Sequence, residues 1–346
     1  MGQIKVLDCT LRDGGLGLED ALKNKMADDT FTSDEREKIA YHLNRAGIDI
    51  IELGSIDITE DDRRGYAIYQ NVEAVSAVIP KDRDRSRLYV GLFRGPDTPM
   101  EDIPEWNPDL VDGLRVIIRY SELQKSLDFC AGLAKKGYKV FVQPMLTMRY
   151  TEEELDLIID QSNKMGAYAL YFVDSYGYMQ SEDVMRFFRK YDQGLDPSIR
   201  IGFHAHNNMN LAYANVLSFI GVETDRTLIA DACAIGMGQG AGNLQTELIT
   251  SYLNGSRGGQ YDFEEVLEVC EIVDRHLSGA LWGYSVTRLL PAIYRTAYKY
   301  ALCYRSQLGL SFVEINKILR EMPESLRHRY TPEDAQKAMR VVAKNG

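Results

Sequence analysis

Short apolar, β-branched runs recur along the chain, separated by stretches with helical polarity. The runs are IKVLDCT (4–10), IDIIELG (48–54), RLYVGLF (87–93), LRVIIRY (114–120), YKVFVQPM (138–145), AYALYFVD (167–174), IRIGFHAH (199–206) and RTLIADAC (226–233). Near-continuous apolarity without alternation is the pattern of parallel strands buried on both faces. The stretches between them read as helices. Thr32 with Glu35, and Thr151 with Glu154, have capping-box spacing ahead of amphipathic segments, and Gly47 and Gly137 stand where helices stop before the next run. Eight strand–helix alternations predict an α/β fold, a (β/α)8 TIM barrel, over residues 1–258. After about residue 260 the strand signal ends and helical periodicity continues, which predicts a C-terminal helical extension over 259–346. A doubly wound open sheet is the alternative. It is disfavoured by the lack of GxGxxG after the first strand and of a GxxxxGK[ST] loop anywhere.

A chain of 346 residues suits one barrel with an appendage. The net charge of −11 argues against nucleic acid or an anionic membrane as the main partner, because binding phosphate needs a basic face. The five cysteines, Cys9, Cys130, Cys233, Cys270 and Cys303, are scattered, without a CxxC pair. That usage predicts reduced thiols in a cytoplasmic protein. No stretch approaches the roughly 18 uninterrupted apolar residues of a membrane span.

Active sites of such barrels gather at the C-terminal ends of the strands, so the residues that end each run are the candidates. The first run leads into Arg12 and Asp13, the second ends on Glu52 and the sixth on Asp174. The seventh carries His204 and His206, and the eighth leads into GMGQGAGN, with Gly240, Gly242 and Asn243. Positions i and i+2 of a strand share one side, so both imidazoles can face the barrel axis. With the carboxylate of Asp13, two nitrogens and one oxygen make a divalent-metal site. Arg12 needs an anionic partner at such a place, and a bound carboxylate or enolate oxygen suits its fork. The glycine run lets backbone approach a ligand closely, which makes Gly240 and Gly242 candidate substrate contacts. Asp174 is a further candidate there.

DCTLRDG, HAHNN and GMGQGAGN, in this order, resemble the metallolyase family that includes hydroxymethylglutaryl-CoA lyase, isopropylmalate synthase and 4-hydroxy-2-oxovalerate aldolase. The region DSYGYM, FHAHNNMNLAYANVL and DACAIGMGQGAGN looks closest to the aldolases. The resemblance spans residues 4–255. It implies Mg2+ or Mn2+ held by Asp13, His204 and His206, with Asn243 matching a fourth ligand of the lyase and synthase branches. Arg12 matches the arginine that stabilises the enolate oxygen, and Glu52 matches a catalytic glutamate of the lyase branch. The implied reaction is cleavage of a 4-hydroxy-2-oxo acid to pyruvate, or a related 2-oxo acid, and an aldehyde. The extension also suggests a homodimer, and the family aldolases often work with an acylating aldehyde dehydrogenase.

Two departures matter. The aldolases place a catalytic histidine three residues after the metal aspartate, and this chain has Leu16 there. The lyases carry a cysteine in the glycine loop, and GMGQGAGN has none. Glu52 is therefore the expected base, with Tyr176 and Tyr294 as the other candidates. A Claisen-type acyltransferase of the isopropylmalate synthase kind and a catalytically lapsed metal-binding barrel are the competing readings.

Overall fold

In the computed structural model, which describes residues 2–23, 29–58, 63–276, 283 and 285–345, each apolar run forms a parallel strand. They are β1 (Ile4–Asp8), β2 (Ile50–Ile56), β3 (Leu88–Phe93), β4 (Gly113–Ile118), β5 (Lys139–Pro144), β6 (Ala169–Asp174), β7 (Arg200–Ala205) and β8 (Leu228–Ala232). Each pairs with the next in sequence. β8 pairs with β1 through Val6 and Ala230, and β1 with β2 through Leu7 and Ile50, so the sheet closes. This is the TIM barrel read from the sequence, with helices outside and further helices after it. A two-residue strand, Ile68–Tyr69, adds to the far end of β2.

The start and stop signals act as read. Thr32 and Thr151 each cap a helix in a reciprocal box with Glu35 and Glu154, and Gly47 ends the first of these helices in the left-handed region at φ 82°. Between β3 and β4 the helix is replaced by one 3-10 turn, Met100–Asp102. Pro96, Pro99, Pro104 and Pro108 explain this, since each removes an N–H donor and disfavours helical backbone before it.

The main core lies between sheet and helices. Phe172 and Phe203 stack at 4.5 Å and meet Phe219 edge-on. Truncating a fully buried ring of this kind costs about 3–5 kcal/mol. The helix Phe263–Asp274 joins this core through Val266, Val269, Ile272 and Val273. The helices from Val286–Tyr294 onward pack around a second core, which includes Tyr300, Tyr304, Ile315 and Leu319. They stand over the end of the barrel where the strands finish, and this positions the site. No helix among the described residues is long and apolar enough to cross a membrane.

Candidate active site

Arg12 and Asp13 do not extend β1; they lie in the first turn of a helix, Thr10–Lys23. Buried Asp8 starts that turn by accepting from the Thr10 N–H at 2.9 Å, and accepts from the Thr246 hydroxyl at 2.6 Å. The glycines after Asp13 serve close approach. A Cβ on Gly15 would lie 2.2 Å from the Tyr66 carbonyl oxygen, and one on Gly17 would lie 2.8 Å from that of Gly238. The helix is thus pressed against the loop after β8. That loop turns through positive φ at Gly236, Gly238, Gly240 and Gly242 (70°, 155°, 68° and 79°), conformations that side chains oppose. It is clipped to the end of β7, where the Asn207 N–H donates to the Gly242 carbonyl at 2.9 Å.

Inside the barrel mouth six buried side chains form a closed ring of alternating charge. Arg12 Nη1 meets Asp13 Oδ1 at 2.8 Å, and Asp13 Oδ2 lies 3.4 Å from His204 Nε2. His204 Nδ1 is 2.9 Å from Asp231 Oδ2, and Asp231 pairs with Arg115 Nη2. Arg115 Nη1 reaches Glu52 Oε2 at 2.8 Å, and Glu52 returns to Arg12 Nε at 2.7 Å. All six are at most 6% exposed. Burial opposes ionisation of Asp13, but Arg12 and then His204 outweigh it and hold its carboxyl well below the usual range. Burial likewise presses the His204 pKa down, and its bonds to Asp13 and Asp231 raise it well above the ordinary value. His206 behaves oppositely: burial, then repulsion from His204, lowers it to about 4. His206 is therefore neutral near pH 7, as a ligand must be.

Three observations fit this ring to a divalent cation. Asp13, His204 and Cys9 place possible ligand atoms within 4.8 Å of one another. His206 sits beside them, its ring 4.9 Å from that of His204, and its Nδ1 is engaged by the Asp174 carbonyl at 2.8 Å, which leaves Nε2 for a ligand. Asn243 donates to Asp13 Oδ2 at 2.7 Å while its own Oδ1 is buried without a partner among the described residues. A cation bound by His204 would displace its proton, and three carboxylates and two guanidinia would then leave the ring one negative charge. A dication would turn this to one positive charge, which suits a carboxylate ligand.

The predicted residues do not all meet. Arg12, Asp13, His204, His206 and Gly240 line an open cavity of about 900 Å3, and Asn243 stands behind Asp13. Glu52 is outside the lining, clamped between Arg12 and Arg115. The Asp174 carboxylate accepts from the N–H groups of Tyr178 and Met179 at 3.0 and 3.1 Å, and burial raises its pKa to about 7. Gly242 holds the loop rather than lining the cavity. Leu16 does line it, and so does Tyr176, whereas the Tyr294 hydroxyl donates to Asn316 at 2.7 Å away from the cavity.

Sequence reasoning missed Arg115 and Asp231, although a charged residue inside an apolar strand run was a usable signal. It also missed Cys9, whose Sγ lies 3.3 Å from that of Cys233; both are free thiols. His328, from the C-terminal helices, lines the cavity with no sequence signal at all. Its Nδ1 accepts from the Tyr176 hydroxyl at 2.9 Å, and its Nε2 meets Glu324 at 2.8 Å.

A closed parallel barrel with charged side chains gathered at its strand ends is compatible with many chemistries, and comparison with known proteins gives this one a family. The family model described as HMGL-like matches residues 118–273. The 4-hydroxy-2-oxovalerate aldolase of Moorella thermoacetica is 30% identical over 278 residues, 78% of this chain and 75% of that protein. The oxaloacetate decarboxylase of Mycobacterium tuberculosis is 28% identical over 249 residues, 72% of this chain and 69% of that one. In fold alone, the carboxyl transferase domain of Rhizobium etli pyruvate carboxylase matches 99% of this chain with a TM-score of 0.69 at 15% identity, and 61% of that chain is covered. The protein belongs to the HMGL-like family of lyases and aldolases.

Proposed function

We propose that this protein is a divalent-metal-dependent aldolase that cleaves a 4-hydroxy-2-oxo acid to pyruvate, or a related 2-oxo acid, and an aldehyde. The charge ring carries the reading: a dication, Mn2+ or Mg2+, would be held by Asp13, His204, His206 and Asn243 and would bring the ring, Arg12 included, to one net positive charge. When bound, the ion acts as a Lewis acid toward the oxygens of the 2-oxo acid.

The chain's own residues supply the rest. Arg12 faces the oxygen on which negative charge grows as the C3–C4 bond breaks, and Glu52 fixes its fork. The C4 hydroxyl proton must leave in the same step, with the bonding pair remaining on the 2-oxo fragment, which is then protonated at C3. The reading assigns the first transfer to Tyr176, which lines the same cavity as Arg12 and Asp13. Its phenol donates to His328 Nδ1, and Glu324 fixes the tautomer with the proton on Nε2. Burial and then Arg149 lower the His328 pKa, which keeps that ring neutral and ready to accept. The phenol oxygen takes the substrate proton as its own proton passes to His328. Glu52 is a positioning residue in this reading, and Leu16 stands where the family aldolases have their base. A cytoplasmic homodimer, with an acylating aldehyde dehydrogenase as partner, completes the reading by family analogy.

The test is pyruvate release from 4-hydroxy-2-oxopentanoate with Mn2+, beside oxaloacetate and beside thiol release from acetyl-CoA. Pyruvate from the hydroxy acid, reduced roughly 100-fold or more in Tyr176→Phe, is the expected result. Thiol release without cleavage would instead establish the acyltransferase reading, and release from oxaloacetate alone a decarboxylase.

A further inference from the structure

The far end of the cavity has a chemistry that cleavage itself does not require. Five arginines line the cavity, Arg12, Arg94, Arg119, Arg149 and Arg329, against two carboxylates, Asp13 and Glu324. This is a cationic wall in a chain of net charge −11. Several of these arginines are already engaged: Arg12 in the ring, Arg119 with Asp97 and Glu122, and Arg94 3.8 Å from Asp57. Arg149 and Arg329 differ, because no carboxylate among the described residues pairs with either. Arg149 ends the 3-10 turn Thr147–Arg149 after β5, and its guanidinium lies over the Tyr120 ring at 4.5 Å from the centroid. Stacking holds the plane of the fork while leaving its N–H donors for a ligand. Arg149 acts electrostatically on both Tyr176 and His328, and Arg329 follows His328 in the chain and lines the same cavity, so both arginines lie by the Tyr176–His328 pair.

We propose that the substrate carries a second anionic group, a carboxylate or a phosphate, on the half that leaves as the aldehyde, and that Arg149 and Arg329 bind it. The inference rests on the lyase reading and specifies its substrate class. The 2-oxo carboxylate goes to the ring, so the C4 hydroxyl falls near Tyr176 and the tail extends toward the unpaired arginines. An aldehyde half ending in a methyl group would leave that half-buried guanidinium without an anion and much of the cavity unfilled. At about 900 Å3 the cavity is near the upper end of the roughly 300–1,000 Å3 of small-molecule sites.

Binding and turnover are measured separately. Calorimetry on the Mn2+-loaded protein compares 2-oxoadipate with 2-oxohexanoate, which match in length and differ in the terminal charge. Affinity for the dianion should be about tenfold or more the higher, the size of one charge-assisted contact. Arg149→Gln should reduce that ratio to below about threefold. Should Arg149→Gln fail to fold, exposed Arg329→Gln carries the same expectation of a reduced ratio. Equal affinity for the two acids, or a ratio unchanged in the folded variant, overturns the proposal. Pyruvate release is then compared for 4-hydroxy-2-oxopentanoate, 4-hydroxy-2-oxoadipate and a 3-deoxy-2-oxohexonate 6-phosphate. A higher kcat/KM for the carboxylate tail or for the phosphate tail identifies the source of the anion, and equal values for all three count against the subsite. Arg149-dependent dianion binding without pyruvate from any of them would refute the lyase reading and leave the subsite standing.

Discussion

Replacing Glu52 with Gln separates two roles for a carboxylate that its strand position alone leaves equivalent. The substitution keeps the shape and removes a charge from between Arg12 Nε at 2.7 Å and Arg115 Nη1 at 2.8 Å, where the Glu52 side chain is fully buried. Removing one partner of a buried ion pair costs about 3–5 kcal/mol, because the remaining charges are left uncompensated in a poor solvent. Gln can still accept one bond, which favours the lower end. For 346 residues unfolding entropy gives roughly 0.7 kcal/mol per degree, so Tm should fall by about 4 °C. Turnover should fall as well, since Arg12 loses the bond that fixes its fork. The ionisation that limits kcat/KM on the acid side should stay where it is in the parent, because Glu52 lies outside the cavity. The assay is differential scanning calorimetry with a pH–rate profile for pyruvate release. A Tm within 1 °C of the parent combined with loss of the acid limb would refute the clamp and restore Glu52 as the base.

Three further expectations follow from the same geometry. The purified protein should hold one divalent ion per chain, and elemental analysis of His204→Ala and His206→Ala should show it lost; full occupancy in both variants would remove the site. Arg12→Ala should lower kcat/KM by about 100- to 1,000-fold, and Arg12→Lys should not rescue it, since a single ammonium cannot make the paired contacts to Asp13 and Glu52. A rate within tenfold of the parent would discard the role. Asp8 concerns stability against pH: burial, opposed by Thr246 and Thr10, raises its pKa to about 6. Between the unfolded value near 4 and 6 the folded state holds a proton that the unfolded state has released, so stability falls as pH rises through that window. Asp8→Asn should remove up to about 3 kcal/mol of that fall, read from urea unfolding at pH 4.5 and 7.5; an unchanged difference between the two would contradict the assignment.

Much of the architecture was legible in the chain because it is written in local periodicity. Strands buried on both faces must be apolar throughout, so eight such runs gave eight strands with ends within a few residues of those expected. Caps and glycine stops act over three or four residues, and Thr32, Thr151 and Gly47 behave as their neighbours dictate. The HxH pair was legible for the same reason, since a two-residue spacing on a strand fixes a shared face.

The sequence by itself thus determined the barrel, the order of its strands and the cluster of Asp13, His204, His206 and Asn243 at their ends. Tertiary structure decided the work of the charges between them. Glu52 and Arg115 are 63 residues apart, and Asn243 and Asp13 are 230 apart, distances over which no local pattern reports a contact. Only closure of the barrel brings three carboxylates, two guanidinia and an imidazole into one ring, and only the folded ring shows Glu52 Oε2 shared between Arg12 and Arg115. The C-terminal helices make the same point. Their amphipathic periodicity shows that they are helices but not which of their polar residues faces the barrel. Packing across 152 residues brings His328 to Tyr176, because a helix of given sequence can dock in many registers and the complementary surface selects one.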